Sequence, residues 1–146
     1  MKVEITRTDD NHLTVDARGH TVSVHRGVQP DEATDGVTAS ELVLGGLGAC
    51  MLGTALTFAR NTDMDVDDIR VTMDADSARH PERLKTIRVA MTVTGRLTAK
   101  QLASLSRVAA RCKIHNTLEH PPTIELELTL ADRHPSELVR SSQGTA

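Results

Sequence analysis

A chain of 146 residues with a net charge of -3, 38% hydrophobic and 25% charged, has the size and balance of one globular domain, residues 1–146, with a polar tail from about 132. It contains no Trp, no Tyr and one Phe, Phe58, so the core falls to Leu, Val, Ile, Met and Ala. The lack of aromatic faces and of a basic groove argues against nucleic acid as a partner.

The opening "MKVEITRTDDNH" alternates and is charged, without the apolar stretch and cleavage site of a signal peptide, and the expectation is a cytoplasmic protein. Alternation at Val3 and Ile5, at Leu13, Val15 and Ala17, and at Val22 and Val24 predicts three short strands separated by "DDNH" and "RGH". A polar loop, "GVQPDEATDG", follows. Thr38 and Glu41 then form a T-x-x-E capping box, with Val37 and Leu42 in the staple positions, so a helix begins here and runs to about "ARNTD". Its stretch Leu42 to Ala59 is 18 residues without a charge, the lower limit for a membrane span. Four glycines, two threonines, the closing charges of Glu41 and Arg60 and the flanking strands favour a soluble core helix, and no membrane partner is expected.

Val66, Ile69, Val71 and Met73, then Ile87, Val89, Met91 and Val93, predict a hairpin joined by "SARHPER". Thr98 and Gln101 repeat the capping box, with Leu97 and Leu102 as staple. The stripe Leu102, Leu105, Val108, Ala109 and Cys112 ends the second helix on the second cysteine. "TIELELTL" predicts a last strand with Ile124, Leu126, Leu128 and Leu130 on one side, and a turn of helix at "SELVR" is the only order expected in the tail. The expected fold is α+β in the order βββαββαβ, a mainly antiparallel sheet on a buried central helix.

The two cysteines, Cys50 and Cys112, stand 62 positions apart, which is no disulfide scaffold, and a bond between them would be catalytic rather than structural. On its helix Cys50 shares a face with Gly46, Gly53, Thr54 and Thr57, so another backbone, from the second helix or a second copy, can come close. Two readings stand side by side: a small buried hydrophobe, and a reactive thiol. The second requires a cation. Arg60 is ten residues away, roughly 15 Å along the axis, and Arg26 at the start of the loop is favoured, with Arg18 next. Cys112, between Arg111 and Lys113, is the only other thiol, and at a helix end the dipole opposes its ionisation.

"SELVLGGLGACMLGTAL" resembles the first-cysteine helix of the OsmC/Ohr family, and "AARCKIHNTL" its second-cysteine segment, in the same order and over roughly residues 1 to 131. The resemblance implies a thiol-dependent peroxidase acting on organic hydroperoxides or hydrogen peroxide, an intertwined homodimer with sites at the interface, and regeneration by a dithiol such as dihydrolipoamide. Carried across, Cys50 is peroxidatic and Cys112 resolving. The chain departs from the family pattern in three places. Ser40 stands where members carry the glutamate that holds an arginine over the thiol, with Glu41 one place on as helix cap or active-site acid. Pro30 stands near the arginine position, which leaves Arg26 to serve, and Lys113 replaces the usual proline. His115 is expected at a helix end or lining the site for substrate. Cys112-x-x-His115 is half of a zinc pattern without a second half, so no metal and no cofactor are expected. The alternative is a small-molecule-binding protein of the same fold without fast chemistry.

Overall fold

The computed structural model describes residues 1–27 and 35–131; most of the loop after Arg26, with Pro30, and the tail with "SELVR" lie outside them. The three opening strands form as expected: β1 (Glu4–Arg7), β2 (His12–Ala17) and β3 (His20–His25), antiparallel in the order β1-β2-β3. A two-residue turn joins β2 to β3, with Arg18 at φ 58° and Gly19 at φ 80°, both in the left-handed region that a tight hairpin requires. The link onward is a parallel bridge from Val24, 3% exposed, to Val37, flanked by the hydrogen bonds His25 N to Val37 O (2.9 Å) and Val37 N to Ser23 O (3.2 Å).

Helix α1 (Ala39–Asn61) starts at the expected box: the Glu41 N–H donates to Thr38 Oγ1 at 3.2 Å, and the Thr38 N–H donates to the Glu41 carboxylate at 2.6 Å. It stops in a Schellman motif, in which the Met64 N–H reaches the Ala59 carbonyl (3.0 Å) and the Asp63 N–H reaches Arg60 (3.4 Å) while Asp63 takes φ 49°. By length and composition α1 could cross a bilayer. Here a stripe of it serves a core instead: Leu47, Met51, Ala55 and Ala59 recur every four residues against Ile69, Leu105, Ala109 and Cys112.

The hairpin β4 (Asp65–Arg79) and β5 (Glu82–Arg96) pairs Ile69 with Val93, Val71 with Met91 and Met73 with Val89. "SARHPER" is not a loop: the strands run on to Arg79 and Glu82, and the turn shrinks to His80 and Pro81, joined by a cis peptide. On the exposed face Arg88 clamps Asp74 and Asp76, which sit opposite and diagonal to it and favour its charged form.

The expected close contact at the α1 glycines is made by β4, not by the second helix. A Cβ built on Gly48 would come within 2.9 Å of Met73 Sδ, whereas one on Gly45, Gly46 or Gly53 would meet nothing within 4 Å among the described residues. That side of α1 stays open, with Val43 43% and Leu56 41% exposed.

Helix α2 (Ala99–Ala109) begins at the second capping box, with the Gln101 N–H on Thr98 Oγ1 at 3.2 Å and the Thr98 N–H on Gln101 Oε1 at 2.9 Å. It is shorter than the stripe predicted. Ala110 caps it, and Cys112, at ψ 158°, leaves helical geometry and becomes the N-cap of a further helix, α3 (Lys113–Glu119). Leu105, Ala109 and Cys112 are buried, while Leu102 is 49% exposed. The predicted last strand is absent. Among the described residues, 121–131 are unpaired, with Ile124, Leu126, Leu128 and Leu130 each at least 88% exposed, because a strand needs a second row of N–H and C=O groups and no described segment lies alongside. The architecture is α+β with antiparallel sheets, and its order is βββαββαα.

Candidate functional site

Helix α1 holds Cys50 half-buried at the margin of the core, and the same core includes Cys112. Cys50 also lines an open, largely apolar bowl of about 620 Å³, together with Gly53, Thr54, Thr57 and Phe58 of its own helix and Val108 of α2. The threonine hydroxyls are turned away into the helix: Thr54 Oγ1 donates to the Cys50 carbonyl (2.8 Å) and Thr57 Oγ1 to Gly53 (2.9 Å). What remains facing the bowl is mainly methyl, methylene and ring surface.

The burial expected at Cys50 falls on Cys112, which is 2% exposed. Its setting also reverses the expected helix polarity. Cys112 heads α3 rather than closing α2, and its sulfur accepts the His115 N–H at 3.4 Å. Burial pushes the Cys112 thiol above its ordinary value, and the neighbouring Cys50 thiol pushes the same way. The N–H groups of His115 and Ile114 pull against both. The Cys pattern hid this cap because cysteine is not among the Ser, Thr, Asp and Asn residues that signal one.

His115 comes to the site with Cys112, on α3, and is not part of the lining of the Cys50 bowl. Its Nε2 lies 3.3 Å from the Glu119 carboxylate, and its Nδ1 is buried without a hydrogen-bond partner among the described residues. Glu41 is held at the helix start, where the Thr38 N–H and hydroxyl lower its pKa. The Arg26 guanidinium rests 3.4 Å from the Asp10 carbonyl, its backbone N–H on Asn11 (2.7 Å), and no ion pair or hydrogen bond joins it to Cys50 among the described residues. Arg18 is spent in the β2–β3 turn. No group of three or more His, Cys, Asp or Glu placed for a metal occurs among the described residues.

One cluster was not singled out from the sequence. His12 and His25 pair across β2 and β3 with ring centroids 4.8 Å apart, edge to face, and Asp9 holds His12 Nδ1 at 2.9 Å. Counting outward from the turn at Arg18 and Gly19 puts these two histidines opposite each other.

Solved structures carry the same fold at low identity. An OsmC-like protein from Mycoplasma pneumoniae matches with a TM-score of 0.73 at 18% identity, covering 82% of this chain and 87% of its own. An organic hydroperoxide resistance protein OsmC from Legionella pneumophila matches with a TM-score of 0.62 at 16% identity, over 80% and 87%. The organic hydroperoxide resistance protein OhrB of Bacillus subtilis gives 0.58 at 19%, over 83% and 93%. No curated protein sequence matches the chain. The sequence itself matches the family model described as OsmC-like protein over residues 29–127, more than half its length, and the chain belongs to that family.

Proposed function

We propose that the protein is a thiol-dependent peroxidase that reduces organic hydroperoxides or hydrogen peroxide. The observation that supports this is a pair of neighbouring thiols in different settings: Cys50 lines an open apolar bowl, and Cys112 is buried in the core that Cys50 packs against. The Cys50 thiolate attacks the distal peroxide oxygen and the O–O bond breaks; Cys50 becomes a sulfenic acid, and the departing alkoxide, or hydroxide from hydrogen peroxide, takes a proton from solvent and leaves as alcohol or water. The Cys112 sulfur then attacks the Cys50 sulfur, water leaves and a disulfide forms. A dithiol such as dihydrolipoamide restores both thiols by exchange. Arg26 serves as the cation for the Cys50 thiolate in the assembled homodimer, and Glu41 acts as the cap that sets the start of α1.

The working form is a homodimer in the cytoplasm, where free thiols persist. The open face of α1 over Gly45, Gly46 and Gly53 and the unpaired apolar run Ile124 to Leu130 support a second copy. The relatives named for organic hydroperoxide resistance support the substrate class. A second reading, a binding protein for an apolar small molecule, draws on the groove of about 580 Å³ between α2 and β5 lined by Met91, Leu102 and Leu105.

The test is peroxide consumption with a dithiol present. Cys50→Ser is expected to abolish it, and mass spectrometry of the native protein after one equivalent of hydroperoxide should find Cys50 bonded to Cys112. Consumption undiminished in Cys50→Ser would overturn the peroxidase; no consumption by the native protein, with apolar ligands bound in the α2–β5 groove, would favour the second reading.

A further inference from the structure

The corner where β2 begins and β3 ends holds two histidines that the peroxidase cycle does not use. His12 and His25 stand directly opposite in the register, and the bond from the Arg26 N–H to the Asn11 carbonyl (2.7 Å) flanks them. Theirs is therefore a pair without mutual backbone bonds, the kind whose side chains stand closest. Their own N–H groups point away, His12 to Asp9 Oδ1 (2.8 Å) and His25 to the Val37 carbonyl (2.9 Å). The rings meet edge to face with centroids 4.8 Å apart. Asp9 fixes the first ring: its carboxylate accepts the Asn11 N–H (2.7 Å) and a hydrogen bond from His12 Nδ1 (2.9 Å), and these lower its pKa. With the proton on Nδ1, the His12 lone pair sits on Nε2. Nε2 of His12 and Nδ1 of His25 are both buried, and neither has a hydrogen-bond partner among the described residues. Ring packing alone leaves both atoms unsatisfied, whereas one ion between the rings would satisfy both.

We propose that His12 and His25 form a two-histidine site for a divalent transition ion that prefers imidazole, nickel, copper or zinc, with Asp9 as the positioning residue behind His12. Two imidazoles on one ion, at metal–nitrogen bonds of about 2.0–2.1 Å, have ring centres roughly 4.5 to 5.3 Å apart for bond angles between square and tetrahedral. The observed spacing falls in that range. No third His, Cys, Asp or Glu completes a cluster among the described residues, so the other coordination positions go to water. The cations of this corner are held elsewhere: Arg7 lies 3.7 Å from the Asp10 carboxylate, and the Arg26 guanidinium is on the Asp10 carbonyl at 3.4 Å. Because the His25 N–H is bonded to Val37, just ahead of α1, an ion here would clip β2 and β3 to the approach of that helix.

The probe is nickel(II) chloride added to the full chain, followed in proton–nitrogen spectra of the histidine rings. One paramagnetic ion per chain is expected to broaden His12 and His25 ahead of the other five histidines. In calorimetric titration, His12→Gln and His25→Gln should each remove the one-equivalent step. Asp9→Asn keeps an oxygen for the Asn11 and His12 N–H groups, so the corner holds its shape, and it should weaken binding about 10- to 100-fold. Broadening that begins at His115, beside Cys112, or that spreads evenly over all seven histidines would overturn the site, as would no binding at all. A one-equivalent step that survives in either histidine variant would do the same, and Asp9→Asn binding as tightly as the native chain would overturn the role of Asp9. Neither cysteine takes part, so the outcome is independent of the peroxidase.

Discussion

The backbone N–H of His115 meets the sulfur of Cys112 at 3.4 Å, so the second thiol heads one helix instead of trailing another. The same sulfur is buried, and its pKa in the folded chain lies above the ordinary value of 9.0. Above 9.0 the unfolded thiol gives up a proton that the folded one keeps. The stabilisation is therefore complete below that value and fades as pH rises toward the folded pKa. Urea unfolding of the reduced protein should show stability falling above 9.0, and Cys112→Ser should remove that part of the slope; an equal slope in the variant refutes the burial argument.

The start of α1 gives the opposite limb. The Thr38 backbone and hydroxyl hold the Glu41 carboxyl below its ordinary 4.5, so this contribution is whole above 4.5 and disappears as pH falls through the lower folded value. Glu41→Gln should flatten the acid side of the stability curve without abolishing it, because Asp9 and Asp76 are lowered as well. Thr38→Ala removes the hydroxyl cap and should destabilise the protein by about 1 kcal/mol in chemical denaturation. A Thr38→Ala midpoint equal to the native one would show the cap to be idle.

At Gly48 helix α1 lies close against Met73 and Val71 of β4. A valine there would press on Met73 and Val71, and Gly48→Val should cost about 1 to 3 kcal/mol, part of it recovered by Met73→Ala, which clears the sulfur from the contact. Additive losses in the double variant would mean that Met73 is not what Gly48 accommodates.

Charges on the unpaired run test its purpose. Leu126→Lys with Leu128→Lys removes two side chains that are 90% and 93% exposed in the single chain, so the protomer should keep its helical signal. The homodimer proposed above should weaken in sedimentation. A double variant as dimeric as the native protein would take this segment out of the interface.

Local signals were legible to the residue. Both capping boxes formed at Thr38 and Thr98, and the apolar alternation of Ile69, Val71 and Met73 gave a strand, because those patterns depend on neighbours three or two positions away. The cysteines were found, and their surroundings were not. Where Cys112 would sit depended on a break after Ala109 that no Gly or Pro marks, and the thiol cap has no signature of its own. The run from Ile124 to Leu130 has the period of a strand, but period says nothing about whether a partner row exists. His115 and Glu119 are four apart, a helix pair visible only once α3 is known to begin at Lys113.

Both sheets are made from strands that follow one another along the chain, closed by turns at Arg18–Gly19 and His80–Pro81. Contacts between sequence neighbours need little loop closure, and chains dominated by them reach their native state quickly. The hairpins can therefore zip independently of each other. Burying α1, which gathers β4, β5, α2 and α3 around one axis, is then the step that commits the chain and first brings its two sulfurs together.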